Sequence, residues 1–103
     1  MEEKVQKFLN RLTHNGTYSQ VIDTFSNGCC YYAAIILHER FLTEAITEIM
    51  YDDIANHFGC LIDDRIYDIT GDVTNKYDWQ YWPEFALQDK LLTDRIIRDC
   101  IDF

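Results

Sequence analysis

The chain has 103 residues and a mass of 12.3 kDa, with 48% hydrophobic and 15% aromatic residues, which is the size and composition of one domain able to bury a core. Its 9 Lys and Arg stand against 18 Asp and Glu, a net charge of −9 that repels a polyanion, so direct nucleic-acid binding is excluded as an expectation. No run approaches the roughly 18 uninterrupted apolar residues of a membrane span, and the charged start MEEKVQKFLN is not that of a signal peptide; a soluble, cytoplasmic protein is expected.

Residues 2–13 carry Val5, Phe8, Leu9 and Leu12 at helical spacing with charged residues between them, which predicts an amphipathic first helix. His14-Asn15-Gly16-Thr17 breaks it, because Asn-Gly supplies the positive φ angles of a helix stop. Ser26-Asn27-Gly28 is a second break. From Cys29 to Phe41 the chain shows no β-alternation, and its polar members, His38, Glu39 and Arg40, come near the end. A helix apolar almost all round is a buried one, and basic residues in its last turn suit the dipole.

After Phe41 the pattern shortens to segments from Ala45 to Tyr51, Asn56 to Ile62 and Arg65 to Thr70, rich in Ile, Tyr and Phe with approximate alternation. Asp63-Asp64 between the last two predicts a tight hairpin turn, and both this pair and Asp52-Asp53 read as solvated turns. Gly71 to Pro83 reads as an aromatic loop bearing Tyr77, Trp79, Tyr81 and Trp82, which either covers the core or walls a cleft; Trp79 and Trp82 are its candidates for substrate or partner contact. Pro83 to Asp102 predicts a closing helix with Phe85, Leu92, Ile96 and Cys100 on one stripe. The expected fold is α+β: N-terminal helices, one of them buried and Cys-bearing, packed on a small antiparallel sheet with a C-terminal helix, in a single domain over 1–103.

The four cysteines, Cys29, Cys30, Cys60 and Cys100, are expected to be free thiols, since an adjacent pair suits a disulfide framework poorly. A thiol at a helix N-terminus feels the positive end of the macrodipole, which favours the thiolate. A nucleophile further needs an imidazole in hydrogen-bond reach and a third group to orient it. His57 and Asp68 supply both, eleven residues apart across the hairpin, and paired strands in the right register bring them side by side on one face. His38 sits about 12 Å along the helix from Cys30, too far to be its base, and is assigned to the helix end; His14 is read as an exposed loop residue. A zinc site from His57, Cys60 and the adjacent pair is set aside because the chain has no C-x2-C. No metal and no cofactor is expected.

The stretches GCCYYAA and NHFGCLIDDRIYDITG resemble the papain-like and transglutaminase-like cysteine superfamily, and His57 through Asp68-Ile69-Thr70 is especially similar to the transglutaminase-like pattern. The resemblance covers residues 26–72. It implies a nucleophile's helix packed on an antiparallel sheet and thiol chemistry on amides or esters, in a peptidase, amidase or acyltransferase. By residue it implies Cys30 as nucleophile, with Cys29 as the alternative one position away, His57 as base and Asp68 as orienting carboxylate. Gln20 and Asn27 are the candidates for a side-chain oxyanion donor, beside the cysteine's own amide. The implied partner is a protein or peptide substrate. The alternative is a catalytically silent acidic protein that inhibits or regulates a protein partner.

Overall fold

The computed structural model describes residues 1–26 and 30–82. Three helices lead: α1 (Glu2–Thr13), α2 (Ser19–Ser26) and α3 (Cys30–Phe41). Five strands follow, β1 (Thr47–Asp52), β2 (His57–Ile62), β3 (Arg65–Asp68), β4 (Gly71–Asp72) and β5 (Gln80–Tyr81), in one antiparallel sheet of order β4-β3-β2-β1-β5. The fold is α+β as expected, with Cys30 buried in α3. The expected closing helix over 83–102 lies outside the described residues.

α1 buries Val5 and Leu9 as its stripe predicts, with Phe8 and Leu12 packed against the same core. It stops where His14 and Asn15 turn left-handed (φ 49° and 57°) and the Asn15 amide reaches back to the Asn10 carbonyl at 2.7 Å. Between the two breaks lies a helix that the periodicity did not predict, α2. Its eight residues make barely two turns, too short to establish a repeat, and packing on its neighbours sustains it.

α3 buries Cys30, Ala33, Ala34, Leu37 and Phe41 and lies across β2. The small Ala33-Ala34 pair lets the helix approach the sheet, while Tyr32 faces solvent. At its far end His38 Nδ1 and the Thr47 hydroxyl lie 2.6 Å apart, tying α3 to the start of β1.

Alternation along the strands sorts the sheet into two faces. Ile49, Tyr51, Phe58, Cys60, Ile62 and Tyr67 point towards the helices and form the main core with Val5, Leu9, Leu37 and Phe41. Phe58, fully buried, is the hub of its aromatic part, with ring centroids 4.9 Å from Tyr31, 4.7 Å from Tyr51 and 4.8 Å from Trp82. Burial of each such side chain contributes roughly 1.5–3 kcal/mol. The opposite face carries Met50, Ile66 and Val73, covered by Leu61, Tyr77 and Trp79.

The hairpin register is the one the site requires. Cys60 faces Tyr67, Leu61 faces Ile66 and Ile62 faces Arg65, joined by the two-residue turn Asp63-Asp64 with Asp63 at φ 59°. Of the stretch 71–83, expected as loop, the described residues 71–82 instead carry short strands: β4 beside β3, and β5, which returns to pair with β1. Two-residue strands are too short for any alternation to reveal them.

Candidate active site

His57 opens β2 and Asp68 ends β3, and the hairpin register turns their side chains to one face of the sheet. His57 Nε2 donates to Asp68 Oδ2 at 2.8 Å. The second carboxylate oxygen, Oδ1, accepts both the Thr70 amide (2.7 Å) and the Thr70 hydroxyl (2.5 Å). Asp68 is therefore fixed from two sides, and it fixes the imidazole in turn. Both side chains are almost wholly buried, His57 at 7% and Asp68 at 4% exposure.

Cys30, 3% exposed at the start of α3, hydrogen-bonds to the same imidazole. With Nε2 taken by Asp68, Nδ1 is the ring nitrogen left to face the thiol. The cysteine's position in the first turn also places it among backbone N–H groups with no partner inside the helix. The three residues singled out by sequence are thus brought together around the imidazole.

The electrostatics follow from the geometry. Burial by itself would lower the His57 pKa, but the hydrogen bonds to Asp68 and Cys30 and their negative charge outweigh it and raise it from 6.5 to about 9. Burial pushes the Asp68 carboxyl up, yet the His57 and Thr70 donors hold it below the usual value. Cys60 is the contrast: fully buried in the main core, its thiol is pushed up by burial to about 12. A thiol there is inert.

Around the imidazole stands an aromatic wall. Tyr77 stacks on His57 with centroids 4.7 Å apart at 29°, and Trp79 lies 6.0 Å from it. Trp79 rests on Gly59, where a side chain would crowd it: a Cβ would come 3.0 Å from the Trp79 ring and from Ile66. Its indole N–H donates to the Val73 carbonyl at 3.1 Å. Of the two tryptophans proposed for binding, Trp79 flanks the site. Trp82 does not: it is 7% exposed, in the main core against Tyr51 and Phe58, because β5 turns it inwards beside β1.

Gln20 stands in solvent on the first turn of α2, lining a shallow surface depression with Thr17, Tyr18, Ser19 and Val21 that includes none of the triad. Asn27, the other oxyanion candidate, and Cys29, the alternative nucleophile, lie outside the described residues. His14, exposed as expected, caps α1 and stacks on Tyr18.

Sequence reasoning passed over three residues that belong to the site. Thr70 was in the quoted motif without a role. Tyr77 was one aromatic among several. Asp52, read as a solvated turn residue, is 4% exposed and lies directly across from His57 in the β1–β2 register. Its neighbour Asp53 is exposed, as a turn residue should be.

Among the described residues no group of three His, Cys, Asp or Glu side chains is arranged to hold a metal ion, and no helix is long and apolar enough to cross a membrane. No curated protein and no solved structure matches the chain. A family model described as Phage YunG-like protein matches residues 5–93, a span that contains Cys30, His57 and Asp68. The chain belongs to the phage YunG-like family.

Proposed function

We propose that the chain is a small cysteine hydrolase or acyltransferase of papain-like or transglutaminase-like type, acting in the cytoplasm on an amide or ester of a protein or peptide. The observation that carries this reading is the imidazole of His57, which hydrogen-bonds Asp68 at 2.8 Å and has Cys30 as a second side-chain partner. Held protonated beside the thiol, it favours a thiolate–imidazolium pair, the reactive form of a cysteine nucleophile.

The Cys30 thiolate attacks the carbonyl carbon, forming the S–C bond and placing negative charge on the oxygen, where amides at the start of α3 are available as donors. The His57 imidazolium gives its proton to the leaving amine or alcohol as the C–N or C–O bond breaks, and a thioester remains. Neutral His57 then takes a proton from water, or from an acceptor amine, as that nucleophile attacks the thioester. The S–C bond breaks and Cys30 leaves as thiolate, restoring the starting pair. Asp68 keeps the ring oriented throughout.

The test is alkylation with limiting iodoacetamide from pH 4 to 9, with the modified cysteine identified by mass spectrometry. Cys30 and Cys60 are both buried, so a preference between them reports activation rather than access. Rapid labelling of Cys30 at about pH 6, lost in His57→Ala, is expected. Slow labelling of every cysteine with an ordinary thiol pKa near 8.5 overturns the triad. That result would favour the competing reading, which rests on the net charge of −9: an acidic protein binding a basic partner, through contacts that weaken with salt and survive Cys30→Ala.

A further inference from the structure

Asp52 ends β1 with its carboxylate turned inwards. Oδ1 accepts the amides of Ile54 (2.9 Å) and Ala55 (3.2 Å), and Oδ2 accepts the amide of Asp78 (3.0 Å), 26 residues further on. One side chain thus joins the turn that leads into His57 to the segment 73–79 that lies over the ring. Within that segment the Lys76 amide donates to the Val73 carbonyl (3.0 Å), and Trp79 rests on Gly59. Tyr77, next to Asp78, is stacked on the imidazole.

We propose that Asp52 is a positioning residue for the thiol site: by clamping segment 73–79 to the end of β1 it seats Tyr77 on His57 and adds a fixed negative charge opposite the ring. The proposal rests on the reading of Cys30, His57 and Asp68 as a triad and adds to it a fourth, indirect member. Among the described residues, the titratable and charged groups around His57 are Asp68 from β3, Cys30 from α3, Asp52 from β1 and Tyr77, with the Lys76 ammonium 5.9 Å from the Tyr77 ring. Asp52 is the carboxylate among them that does not hydrogen-bond the imidazole, so its charge acts through space. The three amides it accepts keep its own pKa low against the effect of burial, and the charge persists through the working pH range. A π-face on the ring favours the imidazolium in the same sense.

The experiment compares wild type, Asp52→Asn, Tyr77→Leu and Asp53→Asn, the last making the same change of charge at an exposed neighbour. Two quantities are read: the titration of the His57 ring protons by NMR, with their ring-current shift, and the pH profile of Cys30 alkylation. Asp52→Asn is expected to lower the His57 midpoint by about one pH unit, to reduce the ring-current shift, and to slow Cys30 labelling at pH 6 about tenfold. Tyr77→Leu should abolish the ring-current shift and lower the midpoint in the same direction, and Asp53→Asn should change neither quantity. The proposal is overturned if Asp52→Asn keeps the wild-type midpoint and shift, or behaves as Asp53→Asn does. If Asp52→Asn does not fold, an unchanged midpoint in Tyr77→Leu overturns it. The NMR titration is independent of thiol chemistry: a wild type lacking selective Cys30 labelling defeats the triad reading, while the response of the His57 midpoint still decides the role of Asp52.

Discussion

Thr70 grips Asp68 twice, through its amide at 2.7 Å and its hydroxyl at 2.5 Å, and both donors fall on Oδ1, leaving Oδ2 to His57. The amide bond survives any substitution except proline, whereas the hydroxyl bond is a property of the side chain. Thr70→Val keeps the shape and removes that one donor. Loss of a partly exposed hydrogen bond of this kind costs about 1 kcal/mol, or about fivefold in a rate that depends on Asp68 orientation. The second-order rate of Cys30 alkylation at pH 6 should fall by that factor in Thr70→Val and return in Thr70→Ser. An equal loss in both variants would mean that the hydroxyl is not what matters.

The juxtaposition of Cys30, His57 and Asp68 was legible because each of the three belongs to a feature that sequence states plainly. Asn27-Gly28 ahead of an apolar run marks where α3 begins, and Asp63-Asp64 between alternating segments fixes the hairpin, hence the relative faces of His57 and Asp68. Asp52 was illegible for a physical reason: Asp-Asp is ordinary turn chemistry, and what buries this carboxylate is the Asp78 amide, brought from 26 residues away by tertiary structure. Trp79 and Trp82 look alike in sequence, yet one covers Gly59 on the outer face while the other enters the main core. The two-residue strand β5 between them decides which is which, and it has no period to read.

Phe58 directly follows His57 and faces the other way, into the ring cluster of Tyr31, Tyr51 and Trp82. It joins α3 to β2 close to the point where Cys30 meets His57. Phe58→Ala leaves a cavity that these rings cannot fill together, and should destabilise the protein by about 3–5 kcal/mol. Urea unfolding would measure it. A loss below about 1 kcal/mol would show that the cluster repacks.

Gly59 is required by space rather than by backbone angle. A methyl group there would meet the Trp79 ring and Ile66 at 3.0 Å and the Tyr67 carbonyl at 3.2 Å. The carbonyl belongs to the neighbouring strand and cannot yield, so Trp79 must lift. Gly59→Ala is expected to destabilise by about 1–3 kcal/mol, as overpacking does, and to change the tryptophan fluorescence of the folded state. Because Trp79 flanks Tyr77 (centroids 5.0 Å), the substitution should also disturb the His57 ring-current shift. Stability and fluorescence both at wild-type values would show that the indole is not seated as described.

The charge state of the site contributes to the pH dependence of stability. His57 titrates at about 9 in the folded chain against 6.5 in the unfolded one, so its protonation contributes stability that is fully present below about 6.5 and is lost as pH rises through about 9. Asp68, with its pKa lowered, contributes stability present above about 3.8 and lost as pH falls through its folded value. In wild type the Cys30 side chain is coupled to the His57 ring, so the basic limb is not that of the imidazole alone. Cys30→Ala removes that coupling. Its urea midpoint should fall from pH 6.5 upwards, with the fall complete below 9 because Cys30, which helps raise the His57 pKa, is gone. Cys60 and Tyr67, both pushed up to about 12, add their own losses further into alkali, common to every variant. Comparing Cys30→Ala with Cys30→Ala/His57→Gln therefore isolates the imidazole: the slope between pH 6.5 and 9 should be present in the first and absent from the second. Equal slopes would mean that Asp68 does not hold a proton on His57, and the carboxylate would then have no part in preparing the ring for the thiol.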